Sequence, residues 1–190
     1  MFKQAIWLSV TVMAMQSLSA HSSQHAYVIE PTRTVVTFEV HSLGLTKHQG
    51  VFNAVTGMVT LDPQVGNGSL DIHVSAGSVR TGDAATQNFV RGKSFLDVEQ
   101  YSEIEYKAEH VLFVGQIPTQ VDGELTLLGV TRAVPLTISK YSCRSGAASD
   151  SCILDAVASF RRSEFGMDRY RAFVSDDVKL EIHSVTTTLN

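Results

Sequence analysis

The chain has 190 residues, 44% hydrophobic and 18% charged, with 15 Lys and Arg against 19 Asp and Glu for a formal charge of −4. That balance excludes a nucleic-acid binder driven by net charge, and the chain is too apolar to be disordered. Two cysteines are too few for a disulfide scaffold or a four-cysteine zinc site, and one domain is expected at this length.

The N-terminus opens with Lys3, then the uncharged apolar stretch Ala5–Met15, then Gln16-Ser17-Leu18-Ser19-Ala20. This is the layout of a secretory signal peptide cleaved after Ala20. The apolar stretch is shorter than the roughly 20 residues of a spanning helix. The expected organisation is a leader over residues 1–20 and one domain over 21–190, exported to a bacterial periplasm.

Export gives the cysteines a meaning. Cys143 and Cys152 bracket the small, polar run Arg144–Ser151, with strand-like runs on both sides. In an oxidising compartment one structural disulfide across a hairpin is expected. A redox pair is disfavoured, because the spacing is not Cys-x-x-Cys.

Taken in chain order, the remainder reads as strands. Val36, Phe38 and Val40 alternate with Thr37, Glu39 and His41, so the first three share one face and Glu39 and His41 the other. Further strands are expected over Gly50–Asp62, Ser69–Val74, Glu103–Ala108, Val121–Leu128, Val134–Tyr141, Ile153–Phe160 and Val178–His183. Turn chemistry separates them at Asp62-Pro63, Gly66-Asn67-Gly68, Ile117-Pro118, Asp122-Gly123 and Gly129. The stretch Ala84–Gly92 lacks alternation and is expected as a short helix or a long loop. About eight antiparallel strands with little helix form either a sandwich or a barrel, and a barrel of that size has room for side chains or one small ligand.

Four stretches resemble the YceI-like family: Phe38–Phe52 with Gly57, Ser78–Gly82 with Lys93–Tyr101, Gly123–Leu136, and Phe160–Met167 with Val174–Val178. The resemblance runs in order along nearly the whole mature chain. It implies an all-β fold, an extended eight-stranded antiparallel lipocalin-like barrel with a short helical lid segment. It also implies a periplasmic protein that holds a polyprenyl quinone or similar long isoprenoid in its lumen, and often a homodimer. Residues suited to the wall of such a dry tube are Phe38, Val40, Phe52, Val74, Phe89, Phe95, Tyr106, Leu125, Phe160, Phe165 and Met167. The tube is expected to open near Thr86–Phe95, where the strand pattern is interrupted.

The chain departs from the family at the position of Ser42, where members commonly carry histidine. It departs again across Thr86–Val90, where an Arg-Asp-x-His-Leu-like motif is replaced and Phe89 stands at the second histidine. His41 points to the opposite strand face and is a poor substitute. Ser42, Asn88 and Arg91 remain as hydrogen-bonding groups for a head group.

The other constellations are weak. The seven histidines show no zinc-helix or finger spacing; His21 and His25 read as tail residues, and His41, His73 and His183 as solvent-facing. Arg161-Arg162 and Arg169-Tyr170-Arg171 read as a solvated basic loop. No nucleophile elbow or phosphate-binding glycine loop is present, so neither catalytic residue, metal nor cofactor is expected. The leading reading is a carrier of an isoprenoid or other long-chain amphiphile, delivering it to a membrane redox protein. The alternatives are an enzyme acting on such an amphiphile and a stress-protective barrel filled by its own side chains.

Overall fold

The structure is a computed structural model that describes residues 25–43, 46–146 and 149–189. The leader expected over residues 1–20 lies outside the described residues, as does His21. The chain folds into β1 (His25–Ile29), β2 (Val35–Ser42), β3 (Thr46–Phe52), β4 (Val55–Asp62), β5 (Asn67–Ser75) and β6 (Val79–Thr81). These are followed by α1 (Ala84–Arg91), β7 (Glu103–Val114), β8 (Ile117–Leu127), β9 (Val130–Ala133), β10 (Leu136–Arg144), β11 (Ser151–Arg161) and β12 (Asp177–Thr188).

The pairing is antiparallel throughout and closes into a barrel of eight wall positions. β1 and β2 share one position: β1 pairs with Thr186–Thr188 of β12 and β2 with its Lys179–His183. β3 and β4 share the next, against β2 and β1, and β6 and β5 the one after. β7, β8, β10, β11 and β12 complete the circle. Between β1 and β2 a 3-10 turn over Pro31–Arg33 interrupts the ladder. Buried Thr34 carries the pairing across that gap: its hydroxyl accepts from Val185 N at 3.1 Å and donates to Val185 O at 3.3 Å.

The alternation read from the sequence matches the wall. Val36, Phe38 and Val40 face the interior, while Glu39 points outward to Lys47 at 2.6 Å and His41 at 3.6 Å. The expected short helix is α1, capped by the Asp83 carboxylate, which accepts from Thr86 N at 2.9 Å. The expected disulfide joins Cys143 and Cys152, which face each other across the β10–β11 pair with Cα atoms 4.0 Å apart.

His25, expected in a tail, begins β1, the strand expected from Val134 starts at Leu136 after a short β9, and three further boundaries differ from expectation. Gly50–Asp62 is not one strand; it breaks at Asn53-Ala54, where Ala54 O accepts from Ser75 N at 3.0 Å and the wall turns a corner. Ile117-Pro118 is not a turn but the start of β8, with Pro118 at a register shift where its missing N–H costs no ladder bond. Asp122-Gly123 is inside β8, because the Tyr106 ring lies over Gly123 and leaves no room for a Cβ. Gly50 serves Phe38 the same way: a Cβ there would sit 2.5 Å from the Phe38 ring. A glycine beneath an inward aromatic ring is thus a packing device, not a turn signal.

Candidate functional site

The barrel is not filled by its own side chains. A cavity of about 230 Å³ runs along its axis. On β12 alone, Val178, Leu180, Ile182, Ser184 and Thr186 line it, which is about 26 Å of strand at about 3.3 Å per residue. At one end the lining includes Val90, Phe95, Leu96, Phe160, Arg162 and Met167, from the α1 segment, β11 and the loop after it. At the other it includes Tyr27, Leu61, Val111, Pro118, Tyr141 and Cys152. The first is called the α1 end below and the second the disulfide end.

Of the wall residues expected from sequence, Phe38, Val40, Phe52, Val74, Phe95, Tyr106, Leu125, Phe160 and Met167 line the lumen. Phe38 and Phe52 face each other with ring centroids 5.7 Å apart. The Tyr106 hydroxyl is taken up by Val134 O at 3.0 Å, so its ring presents an apolar face; burial, with Asp122 adding, raises its pKa. Phe89 and Phe165 are the exceptions. The helical period of α1 turns Val90 into the lumen and Phe89 outward, where it packs on Phe95 and Tyr170 at 5.0 and 5.3 Å. Phe165 is fully buried behind the wall, edge-on to Phe160 at 5.1 Å, and supports that ring instead of touching the lumen.

The polar groups at the α1 end include two that sequence reading missed. Val40 pairs with His48 and Ser42 with Thr46, so Ser42 and His48 share the face of the lumen-lining Val40. Ser42 Oγ lies 2.7 Å from His48 Nε2. An imidazole thus stands beside position 42 from the neighbouring strand, a pairing visible only once the hairpin register is known. Asn88 is exposed and Arg91 half-buried on α1.

The second is Arg162. It does not belong to a solvated loop, since it is 1% exposed, while Arg161, Arg169 and Arg171 are exposed. Its guanidinium donates to Ser175 O at 2.9 Å, Arg169 O at 2.8 Å, Val174 O at 3.0 Å and Met167 O, and lies 5.8 Å from the Phe95 ring centroid. Burial lowers its pKa, with Asp176 opposing. Arg162 thus ties the irregular loop over residues 166–175 onto the end of the tube. The sequence signal was its neighbour: Arg161 pairs outward with Glu164, and in a strand the next residue must point inward.

Toward the disulfide end the lumen gains hydroxyls. Thr34 is satisfied within the wall, but the buried Ser184 Oγ has no hydrogen-bond partner among the described residues. On the outer surface, His73, Glu103 and Glu105 bring ligand atoms within 4.8 Å of one another. His73 Nδ1 lies 3.2 Å from Glu103, and Lys107 already pairs with Glu105 at 3.0 Å. The expectation of solvent-facing His41, His73 and His183 holds; His183 Nδ1 lies 2.6 Å from Asp155.

The model of the YceI-like domain matches residues 27–186. The chain belongs to the YceI-like family. A UPF0312 protein of Vibrio cholerae is 27% identical over 130 residues, covering 67% of this chain and 69% of that protein. Among solved structures, BcnA of Burkholderia cenocepacia superposes with a TM-score of 0.67 at 24% identity, over 83% of this chain and 98% of that one. A polyisoprenoid binding domain from Saccharophagus degradans, implicated in plant cell wall breakdown, superposes with a TM-score of 0.66 at 14% identity, over 87% and 99%. Both likenesses concern the fold.

No helix among the described residues is long and apolar enough to cross a membrane, a statement that does not extend to strands.

Proposed function

We propose that this YceI-like chain is an exported, periplasmic carrier that holds a long-chain isoprenoid, such as the tail of a polyprenyl quinone, in its lumen. The observation that carries the reading is the unfilled apolar tube. Burying a hydrocarbon chain there gains about 25 cal/mol per Å² of apolar surface removed from water. A cavity this long suits a chain better than a compact ligand, and the likeness to the polyisoprenoid binding domain from Saccharophagus degradans agrees with that class of cargo. The lining offers no nucleophile paired with a base, which favours carriage over turnover.

The cargo enters at the α1 end. Val90 and Phe95 are half-buried lumen residues on the helical segment that interrupts the strand pattern, and Ser42 and His48 stand on the inner face of the adjoining hairpin to meet a head group. Delivery to a membrane redox protein and a homodimeric carrier complete the proposal.

The test is mass spectrometry of organic extracts from natively purified protein, followed by rebinding of a polyprenyl quinone to stripped protein. A stoichiometric isoprenoid and saturable rebinding are expected, with Phe52→Ser weakening binding at a temperature where a melting control shows the variant folded. Folded, stripped protein that takes up no quinone, isoprenoid alcohol or fatty amphiphile would sink the proposal. His48→Leu is expected to change the ranking of cargoes matched in tail but different in head.

A further inference from the structure

We infer that the α1 end is also a docking face for an anionic lipid bilayer, a step that rests on the lipid cargo proposed above. Large apolar side chains stand out there: Leu43 is 72% exposed, Phe173 60%, Phe89 47% and Tyr170 44%. They form one patch. Phe89 lies 5.3 Å from Tyr170, Phe173 N donates to Tyr170 O at 2.9 Å, and Leu43 N donates to Phe173 O at 2.8 Å. Phe95 packs against Phe89 and Tyr170 and also lines the lumen, so the patch is continuous with the tube wall.

Ring chemistry and locally unpaired cations together select the occupant; the α1 segment also carries Asp83, Asp97 and Glu99, so the distinction belongs to the patch and not to the net charge of that end. Arg91 and Lys93 follow Phe89 on the α1 segment, and Arg169 precedes Tyr170. None of the three has a carboxylate within 4.0 Å among the described residues, whereas Glu164 and Asp168 are engaged by Arg161 and Arg171. The disulfide end is the contrast. Val65, Val114 and Ile117 are exposed there too, but residues 61–68 and 109–122 beside them contain no Lys or Arg and carry the exposed Glu109 and Asp122, with Asp62 buried and Arg144 on the neighbouring strand end. Aromatic rings beside free cations match the headgroup layer of an anionic membrane, and aliphatic tips beside carboxylates do not. A tail leaving the bilayer at this patch would slide past Phe95 into the lumen without crossing water.

The experiment is flotation of the full mature protein with vesicles of phosphatidylcholine, alone or mixed with phosphatidylglycerol. Wild type should float with the phosphatidylglycerol vesicles and lose that association as salt is raised. Leu43→Ser with Phe173→Ser should lower partitioning about tenfold or more, while Val114→Ser with Ile117→Ser should leave it unchanged, all at matched melting temperatures. Cargo content is read separately from organic extracts of each protein. A Leu43/Phe173 double variant that still carries lipid but no longer floats supports docking. Wild type that carries lipid yet never floats, or loses flotation only in the Val114/Ile117 variant, overturns docking and leaves the carrier reading intact. Wild type that floats but never holds lipid overturns the carrier reading alone.

Discussion

The two ends of the tube are closed by different physics. At the disulfide end the chain is mostly ladder, with β10 and β11 pairing residue for residue from Lys140–Asp155 to Arg144–Ser151 and Cys143–Cys152 as one of those pairs. Its backbone groups satisfy one another, and the covalent bond adds a restraint on the unfolded chain. At the α1 end the cover is irregular, and irregular backbone must find other partners. One buried side chain, Arg162, supplies them for the carbonyls of Met167, Arg169, Val174 and Ser175. The comparison teaches that one end of a barrel can rest on many interchangeable ladder bonds while at the other a single side chain gathers several carbonyls that have no ladder.

The largest effect should come from breaking that residue. Arg162→Met keeps the length but leaves up to four carbonyls without a donor, and is expected to cost at least about 3 kcal/mol in urea unfolding. Weaker uptake of the proposed isoprenoid cargo should accompany it, because the loop would no longer hold Met167 against the lumen. A change below about 1 kcal/mol would show that water or a neighbour replaces the guanidinium.

Cutting the other end is expected to matter less. Replacing Cys143 and Cys152 together by serine should cost ~2–3 kcal/mol, the chain-entropy value for so short a loop, with cargo binding retained. Thiol counting on unfolded, unreduced wild type should find no free thiol.

The smallest effect is a division of labour with pH. Burial alone would raise the Asp176 carboxyl, but hydrogen bonds from Ser163 Oγ and N at 2.7 and 3.0 Å, with Arg171 and Arg162 nearby, hold it below its ordinary value. A depressed carboxyl stabilises above its unfolded value of about 3.9, and that contribution is lost as pH falls through the native value. At the disulfide end burial, with Tyr27 adding, pushes Tyr141 up to about 12. A raised phenol stabilises below its unfolded value of about 10 and loses that contribution as pH rises beyond it. Acid should therefore loosen the α1 end and alkali the disulfide end. Asp176→Asn is expected to flatten only the acid limb of a stability–pH profile, and Tyr141→Phe only the alkaline limb.

Much of the wall was legible in the sequence because inward and outward residues alternate strictly, as in Val36 to His41 and Val178 to His183. The misreadings have one cause each. Gly123 looked like a turn because the Tyr106 ring that needs its missing side chain is 17 residues away in the chain. Arg162 looked solvated because a basic run has the same composition whether one member points in or out. His48 was overlooked because its meeting with Ser42 depends on hairpin register. Phe89 and Phe165 were placed on the wall by residue type, whereas a helical period and a 3-10 turn carry them elsewhere. The departures at Ser42 and Phe89 were visible at once; what offsets the first was not.

Barrel closure has a consequence for the order of events in folding. Thr34 bonds to Val185 across 151 residues, so the first wall position acquires its second neighbour only when the last strand is present. Joining segments that far apart in the chain costs about 4 kcal/mol of loop-closure entropy if nothing between them has formed. The hairpins from β4 to β8 are local and can assemble beforehand, which shortens the effective loop. Until β12 arrives, both margins of the growing sheet remain open to pairing with another chain. A chain that emerges from the ribosome N-terminus first thus keeps open sheet margins until its last strand arrives, and the hydroxyl of one threonine helps to close them.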